Sequence, residues 1–349
     1  MTHNSTDLAA PQVAGPRGDP SAPPDRSGLT ALTAVTATLS RSRTVAVPII
    51  ALLALIIYFG SQNSAFLSTD SAQNILRQMA FLTVIALAGT FVILIGGIDL
   101  SVAANATLAG ILIATWIDSL GGPLAIVAVL AVGGLVGLVN GLITTMLRVP
   151  SFLVTLGMMS VLNGVSNTIS DGGPVAFSSG LLHTLVNESS IPGIPNGALI
   201  ALVLTALLTV LAFASSFGRH LYAVGGNERA ARLSGVRVQA VKLLVFALAG
   251  VIAAVAGIIF TGQASTGVPL GADPSLLNSI AAIVVGGTAL SGGVGGPHRT
   301  LLGALVIVIL GAGMDITAVD PYTQLIVKGA VVIAAVAITI DRRRYGLIK

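Results

Sequence analysis

Long apolar runs separated by short polar segments dominate the chain from residue 44 to residue 340. A helix needs about 20 apolar residues to cross a bilayer, and ten stretches approach that length. The pattern therefore predicts an all-α membrane protein, a bundle of about ten transmembrane helices. The expected spans lie near 44–60, 78–98, 101–118, 123–147, 150–170, 197–215, 243–262, 278–291, 300–319 and 321–340. Of these, 278–291 is also compatible with a half-helix.

The charged residues in the connections indicate how the spans are oriented in the membrane. Basic residues recur in every second connection, whereas the connections between them carry mainly Asp and Glu. Cytoplasmic loops are enriched in Lys and Arg, so ten spans with both termini in the cytoplasm fit the pattern. The chain then divides into a disordered cytoplasmic tail (1–43, rich in Pro, Ser, Thr and Ala), a transmembrane domain (44–340) and a basic cytoplasmic C-terminus (341–349).

Composition excludes several function classes. Hydrophobic residues make up 54% of the chain and charged residues 9%, whereas a soluble domain carries roughly 25% charge. The net charge of +4 does not indicate nucleic-acid binding, because the bases lie in short clusters between apolar spans. There is no cysteine, the four histidines are scattered, and no phosphate-binding loop occurs. We expect no catalytic residues, no metal site and no cofactor in this chain.

The largest interruption of the apolar pattern is residues 216–242, which hold five basic residues and one acid. After a turn at Gly225-Gly226, the sequence predicts a helix of about two turns over 228–234. Its signals are Asn227 at the N-cap, Glu228 in the first turn, Arg232 in the last turn and Gly235 at C′. A helix this short is marginal alone in water, so it must rest on its own bundle or on a partner protein. An ordinary surface turn is the alternative.

The motif Gly-Gly-x-x-Leu-Ser occurs twice, at 96–101 and at 286–291, each time after an apolar run. Glycines allow a sharp turn, and Asp99 or Ser101 can cap the helix that follows. Discontinuous helices of this kind line transport sites in other membrane folds. The motif therefore predicts either a broken helix on a transport pathway or a tight turn with a cap. An aspartate within the membrane favours a functional role.

Uncharged polar side chains within the spans are candidates for contact with a passing solute. Helical spacing places Ser160, Asn163 and Asn167 on one face, and Ser101 and Asn105 on another. With Asp99, these residues form the predicted substrate pathway. Hydrogen bonding between helices is the alternative explanation for each of them.

Two charged residues fall within the last two spans. Asp315 and Lys328 lie at similar depths from the same end of their helices. An unpaired charge is costly inside a bilayer. We therefore predict an intramembrane ion pair between them.

Four stretches together resemble bacterial ABC sugar-importer permeases. In sequence order they are GGIDLS (96–101), PSFLVTLG (150–157), the run from Leu221 to Val236, and IAAIVVGGTALSGG (280–293). Over roughly 45–340 the chain is similar to the ribose/xylose/arabinose type in the branched-chain-amino-acid/simple-sugar permease superfamily. The resemblance implies the transmembrane subunit of an ABC importer that carries a monosaccharide, such as a pentose, across the bacterial cytoplasmic membrane.

The resemblance also implies the partners. The helix near 227–236 would be a coupling helix on a separate ATPase subunit, which would bind ATP and Mg. The coupling residues would be Asn227, Glu228, Arg229, Ala231, Arg232, Leu233 and Gly235. A second permease chain would complete the pathway, and an extracytoplasmic sugar-binding protein would dock on an outer rim near 171–196.

Other transport classes remain open at this point. A branched-chain amino acid permease of the same superfamily is the closest alternative. An ion-coupled secondary transporter would need intramembrane carboxylates, for which Asp99 and Asp315 are the candidates. Because aromatic residues make up only 4% of the chain, we expect a conduit of low affinity, with specificity residing in a separate binding protein.

Overall fold

The computed structural model describes residues 46–339, and the regular elements in that range are helical. The predicted tail (1–43) and the basic C-terminus (341–349) lie outside the described residues. A short 3-10 turn, Ser64–Leu67, joins the first two α-helices. The α-helices are α1 Ala46–Gln62, α2 Thr69–Leu94, α3 Val102–Leu120, α4 Gly122–Met146, α5 Ser151–Ile169, α6 Leu181–Val186, α7 Asn196–Ala214, α8 Ser216–Gly226, α9 Glu228–Leu233, α10 Val238–Ala264, α11 Ser275–Val285, α12 Pro297–Ile316 and α13 Pro321–Thr339.

Seven of these helices are long and apolar enough to cross a membrane, namely α2, α3, α4, α5, α7, α10 and α12. Three shorter apolar stretches are α1, α11 and Pro321–Ala337 within α13. The prediction of an all-helical membrane protein is thereby confirmed, while the count of ten crossings stays a prediction. With 11 residues, α11 spans about 16 Å. This length matches the half-helix alternative for 278–291.

Helices α2 and α10 form the centre of the bundle. Every residue of the stretch 79–95 in α2 is buried, and α10 packs against α2, α3 and α4. A helix that is buried all round must be apolar all round, and this stretch carries no charged residue. By contrast, α4, α5 and α7 turn many large apolar side chains outward, as lipid-facing helices do.

Glycines bring α4 and α10 into close contact. The spacing of Gly133, Gly137 and Gly141 predicts a face that lets another helix approach, and the structure confirms it with α10 as the partner. A Cβ on Gly137 would lie 2.1 Å from the carbonyl oxygen of Phe246, and one on Gly250 would lie 2.1 Å from that of Gly133. Only glycine fits at these positions.

The connections between helices gather at two ends of the bundle. One end, called here the α9 end, holds the loops 95–101, 147–150 and 286–296 together with α8 and α9. There, the Gly293 amide donates to the Leu94 carbonyl at 2.9 Å. At the opposite end, Asn187 Nδ2 donates to the Gly262 carbonyl at 2.7 Å.

Helices α2 and α8 differ from the sequence-based expectation. Helix α2 begins at Thr69 rather than near 78, because Ser68 caps it by accepting from the Ser71 amide and its first turns are polar. Helix α8 was not expected, and Gly225-Gly226 forms its last residues rather than a free turn. Ser215 caps α8 by accepting from the Gly218 amide, so local capping and packing outweigh the low helix propensity of glycine.

Candidate functional site

The predicted short helix in the basic segment is present as α9. Asn227 adopts an extended N-cap conformation, and its Oδ1 accepts from the Ala230 amide at 3.0 Å. Gly235 closes the helix with a φ of +84°, a conformation that favours glycine. The observed helix ends at Leu233, one residue before the predicted end. Both caps therefore follow from local sequence, as predicted.

Helix α9 rests on the bundle through one side and exposes the other. Ala231 is buried, whereas Arg229 and Arg232 are exposed and Leu233 is 83% exposed. The sequence predicted that so short a helix needs support, and α10 and α8 provide it. An apolar side chain and two cations thus project from the α9 end.

Glu228 ties α9 to the central helix α10. Its two carboxylate oxygens accept from Arg232 at 3.0 Å, within α9, and from Lys242 at 2.7 Å, on α10. These are the ion pairs found within residues 46–339. Hydrogen bonding to Lys242 lowers the pKa of Glu228, so the carboxylate is charged at neutral pH. The Glu228 carboxylate thus links α9 to α10.

Three chain segments meet at what we call the glycine junction, formed by Leu94, Gly96, Gly225, Gly292 and Gly293. A Cβ on Gly225 would lie 1.8 Å from the Leu94 carbonyl oxygen and 2.7 Å from the Gly293 nitrogen. One on Gly292 would lie 2.8 Å from the Gly96 nitrogen. The two Gly-Gly-x-x-Leu-Ser motifs thus lie side by side, and α8 packs against both.

Helix α8 is anchored to the loop 286–296 through an aromatic side chain. The Tyr222 hydroxyl donates to the Gly295 carbonyl at 2.9 Å, and its ring stacks on Phe213. Burial raises the pKa of Tyr222 to about 12, so the hydroxyl remains a neutral donor. Leu221 and Val224 are buried on the same helix. The part of the basic segment that forms α8 is therefore packed into the bundle.

The first motif forms a tight turn held by side chains of α4 and α5. Asp99 Oδ1 accepts from the Ser101 amide at 2.8 Å and from the Ser101 hydroxyl at 2.6 Å. Asn140 Nδ2 donates to Ser101 Oγ at 2.9 Å, and Ser151 Oγ accepts from the Ile98 amide at 3.0 Å. Ser101 stands at the N-cap of α3 but makes no side-chain cap bond. The tight turn is therefore present, but the cap of α3 by Asp99 or Ser101 that was predicted with it is not.

A cavity of about 700 Å³ opens beside α9. Its walls come from the first motif, the α4–α5 turn, α9 and the start of α10. Arg148, Arg232 and Lys242 line it, with Glu228 as the acid. The excess of positive charge makes this end suited to an acidic surface.

The other predicted pathway residues are not brought together in one place. Asn105 is buried, and its Nδ2 lies 3.3 Å from the carbonyl oxygens of Gly133 and Gly250, which bridges α3, α4 and α10. Asn167 Nδ2 donates to the Asn163 carbonyl within α5, and Ser160 is exposed. Asn163 Nδ2 instead donates to the carboxylate of Asp273, between α10 and α11, at 2.7 Å. For Asn105 the hydrogen bonds match the alternative of bonding between helices, whereas the bond of Asn167 stays within α5.

The structure does not form the predicted ion pair between Asp315 and Lys328. Asp315 Oδ1 accepts from Gln324 Nε2 at 2.8 Å. The Lys328 ammonium lies beside α12, 3.6 Å from where a Cβ on Gly311 would be. Similar depth in the membrane did not bring the two charges together. The Asp315 carboxylate instead accepts a hydrogen bond from the neutral Gln324 amide, which lies closer to it.

Two charged residues with tertiary hydrogen bonds could not be singled out from the sequence alone. Lys242 appeared only as one of several bases, and Asp273 only as an acid in a connection between spans. The signal for Lys242 is a base at the start of a long helix that follows α9. Asp273 carries no local signal, because its partners lie 110 and 166 residues away. Among residues 46–339, no group of three His, Asp or Glu side chains could hold a metal ion.

Comparison with known proteins gives a consistent result. Residues 71–336 match the family described as branched-chain amino acid transport system / permease component. The chain is 38% identical to the ribose import permease protein RbsC of Bacillus subtilis (strain 168), covering 85% of this chain and 92% of that one. It is 33% identical to the D-allose transport system permease protein AlsC of Escherichia coli (strain K12), covering 82% and 89%. It is also 33% identical to the galactose/methyl galactoside import permease protein MglC of the same strain, covering 84% and 92%. No solved structure matches significantly.

Proposed function

We propose that this chain, which belongs to the family of branched-chain amino acid transport system permease components, is the membrane subunit of an ATP-driven importer of a monosaccharide. The observation that carries the proposal is the similarity along most of the chain to permeases named for ribose, allose and galactose. These names favour a sugar over a branched-chain amino acid. The bacterial cytoplasmic membrane is the corresponding location.

The proposed orientation places the α9 end in the cytoplasm. The described basic residues at that end are Arg148, Arg219, Arg229, Arg232, Arg237, Lys242 and Arg299. The opposite end carries Asp70, Asp118, Asp171, Glu188 and Asp320, with Arg77 as its base. This asymmetry supports a cytoplasmic α9 end and ten crossings.

Helix α9 is the proposed docking point for the ATPase subunit, which binds ATP and Mg. Its exposed face offers Arg229, Arg232 and Leu233, while Ala231 and Glu228 hold it to the bundle. Movement imposed on α9 would reach α10 through the Glu228–Lys242 ion pair and would reach the second motif through α8. The contacts at the α9 end therefore support a mechanical link to the core.

A second copy of the chain is proposed to complete the pathway along α5. A Cβ on Gly157 or Gly164 would meet nothing within 4 Å, so this face of α5 has room for a partner helix. Ser160 lies on the same exposed face. At the opposite end, residues 171–196 are the proposed rim for the sugar-binding protein.

Co-purification tests the docking proposal. The tagged full chain is purified in detergent from cells that also produce its natural partners, and ATP hydrolysis by the preparation is measured. Wild type is compared with a variant carrying alanine at Glu228, Arg232 and Leu233. A matched control carries alanine at Leu67 and Asp70, both exposed at the opposite end and outside the proposed rim.

We expect ATP hydrolysis in the wild-type and control preparations, together with a co-purifying chain that contains a phosphate-binding loop. The triple alanine variant should lose both. Equal hydrolysis in all three preparations would overturn docking through α9. Absence of any co-purifying ATPase from wild type would overturn the proposed function itself.

A further inference from the structure

Between α10 and α11 the chain turns back into the bundle. Gly267 pairs with Val175 through backbone hydrogen bonds of 2.8 and 2.9 Å. A Cβ on Gly267 would lie 2.9 Å from Ala114, in the middle of α3. Ala272 is fully buried. Residues 265–274 therefore run inward as an irregular segment, and α11 starts from within the bundle.

This segment carries Asp273 to the interior face of two other helices. Asn163 Nδ2 on α5 donates to Asp273 Oδ2 at 2.7 Å, and the Thr107 hydroxyl on α3 lies 3.2 Å from Oδ1. Thr107 precedes the end of α3 at Leu120 by 13 residues, which is about 20 Å of helix. Asn163 precedes Ile169 by six residues, or about 9 Å. Asp273 thus lies well inside the bundle rather than on its outer surface.

No ion pair involves Asp273 within the described part of the chain. Its neighbours are neutral hydrogen-bond donors, and the carboxylate remains partly accessible. A carboxylate has about four acceptor positions, and the two contacts above leave capacity for further donors. Intramembrane acids are expensive and mark functional sites by default.

A second acceptor lies beside it without a partner. Asn163 uses its Nδ2 on Asp273, which leaves its Oδ1 buried and unpaired among the described residues. One turn further along α5, Ser166 Oγ is also buried and unpaired there. A buried acceptor that lacks a donor costs roughly 1–3 kcal/mol. The site therefore combines the charged acceptor of Asp273 with the unpaired Oδ1 of Asn163, and hydroxyl donors would satisfy both.

We propose that Asp273 and Asn163 form a hydroxyl-binding station for the monosaccharide on its way through the bundle. A vicinal diol would donate one hydrogen bond to the Asp273 carboxylate and one to Asn163 Oδ1. The station lies one helical turn from Ser160, which is exposed on α5. This inference rests on the proposed function and adds the residues that bind the sugar hydroxyls.

The test measures uptake into proteoliposomes that contain the full importer with its ATPase and binding protein. The probes are D-ribose, D-allose and D-galactose, followed by 2-deoxy analogues of the sugar that wild type carries best. Variants are Asp273→Asn, which keeps the shape, and Asn163→Leu, which removes both the unpaired acceptor and the donor to Asp273. Thr107→Val is the matched control, because it removes the hydrogen bonds of Thr107 to Ala272 and Asp273 without changing Asn163.

We expect Asp273→Asn and Asn163→Leu each to lower the maximal uptake rate of the native sugar about tenfold, which is the scale of one lost hydrogen bond to a charged group. Uptake of one deoxy analogue should fall much less, so that the preference for the native sugar shrinks. ATP hydrolysis stimulated by the loaded binding protein should persist. Thr107→Val should keep the wild-type preference.

Two outcomes would overturn the station. One is an unchanged uptake rate and preference in Asp273→Asn and Asn163→Leu. The other is a loss of thermal stability shared with Thr107→Val, with the sugar preference intact in all three, which would make Asp273 an anchor of the inward segment only. If wild type carries none of the three sugars, the proposed function fails, and this inference fails with it.

Discussion

Substitution of Gly225 by alanine should disconnect the basic segment from the core. Gly225 ends α8 at the glycine junction, where its Cα faces the Leu94 carbonyl. The added methyl group would lie 1.8 Å from that oxygen, whereas ordinary van der Waals contact starts at 3.4 Å. The methyl group needs roughly 1.6 Å of new space between backbone segments, which cannot rotate away as a side chain would.

The cost of this substitution has two parts. Overpacking a close-packed site costs about 1–3 kcal/mol. Separation of the segments also stretches the hydrogen bond from the Gly293 amide to the Leu94 carbonyl, which adds about 0.5–1.5 kcal/mol. A total of about 1.5–4.5 kcal/mol corresponds to a change of roughly 10-fold to 1,600-fold in an equilibrium constant.

The neighbouring residue provides a matched control. A Cβ on Gly226 would meet nothing within 4 Å, and both glycines belong to α8. We expect Gly225→Ala to lower the melting temperature in detergent and to lower ATP-driven sugar uptake at least tenfold, while Gly226→Ala retains both. The reasoning is refuted if the two variants melt and transport alike.

Three further predictions follow from individual contacts. Lys242→Met should slow ATP-driven uptake several-fold, and exchanging Glu228 and Lys242 for each other should restore part of it; failure of the exchange despite normal folding would contradict a tie between α9 and α10. Because hydrogen bonding to Lys242 lowers the pKa of Glu228, the stability from this tie is present above the ordinary glutamate range and is lost as pH falls through the lowered pKa. Acidification should therefore destabilise wild type more than Glu228→Gln, and parallel melting curves would argue against the tie. Gly137→Ala should destabilise the α4–α10 contact by about 1–3 kcal/mol. As its control, Gly329→Ala should be neutral or stabilising, because a Cβ there would meet nothing within 4 Å. Equal melting temperatures for the two variants would contradict the close approach of α4 and α10.

Local rules were sufficient for α9. An N-cap asparagine and a C′ glycine act over four residues, so Asn227 and Gly235 could be read directly from the sequence. The apolar periodicity likewise located the long helices, although polar first turns concealed the start of α2. The same reasoning missed α8, because its two terminal glycines argue against a helix unless the packing of Leu221 and Val224 is known.

Tertiary contacts decided the rest of the candidate site. Spacing alone placed Asn105 on a pathway, but the backbone carbonyls of α4 and α10 come close enough to occupy its amide group. Lys328 was predicted to pair with Asp315 from its depth in the membrane alone, but the nearer Gln324 donates the hydrogen bond to Asp315. Asp273 could not have been paired with Asn163 from the sequence, since only the inward run of 265–274 brings them together.

The central claim is that this chain imports a monosaccharide by coupling to an ATPase at its α9 end. Uptake of D-ribose, D-allose and D-galactose into proteoliposomes tests it most directly, with the chain, its ATPase and its binding protein present together. The account predicts uptake of at least one of these sugars that requires ATP hydrolysis and is lost when Glu228, Arg232 and Leu233 are replaced by alanine. Uptake by the chain alone, driven by an ion gradient without ATP, would contradict the account.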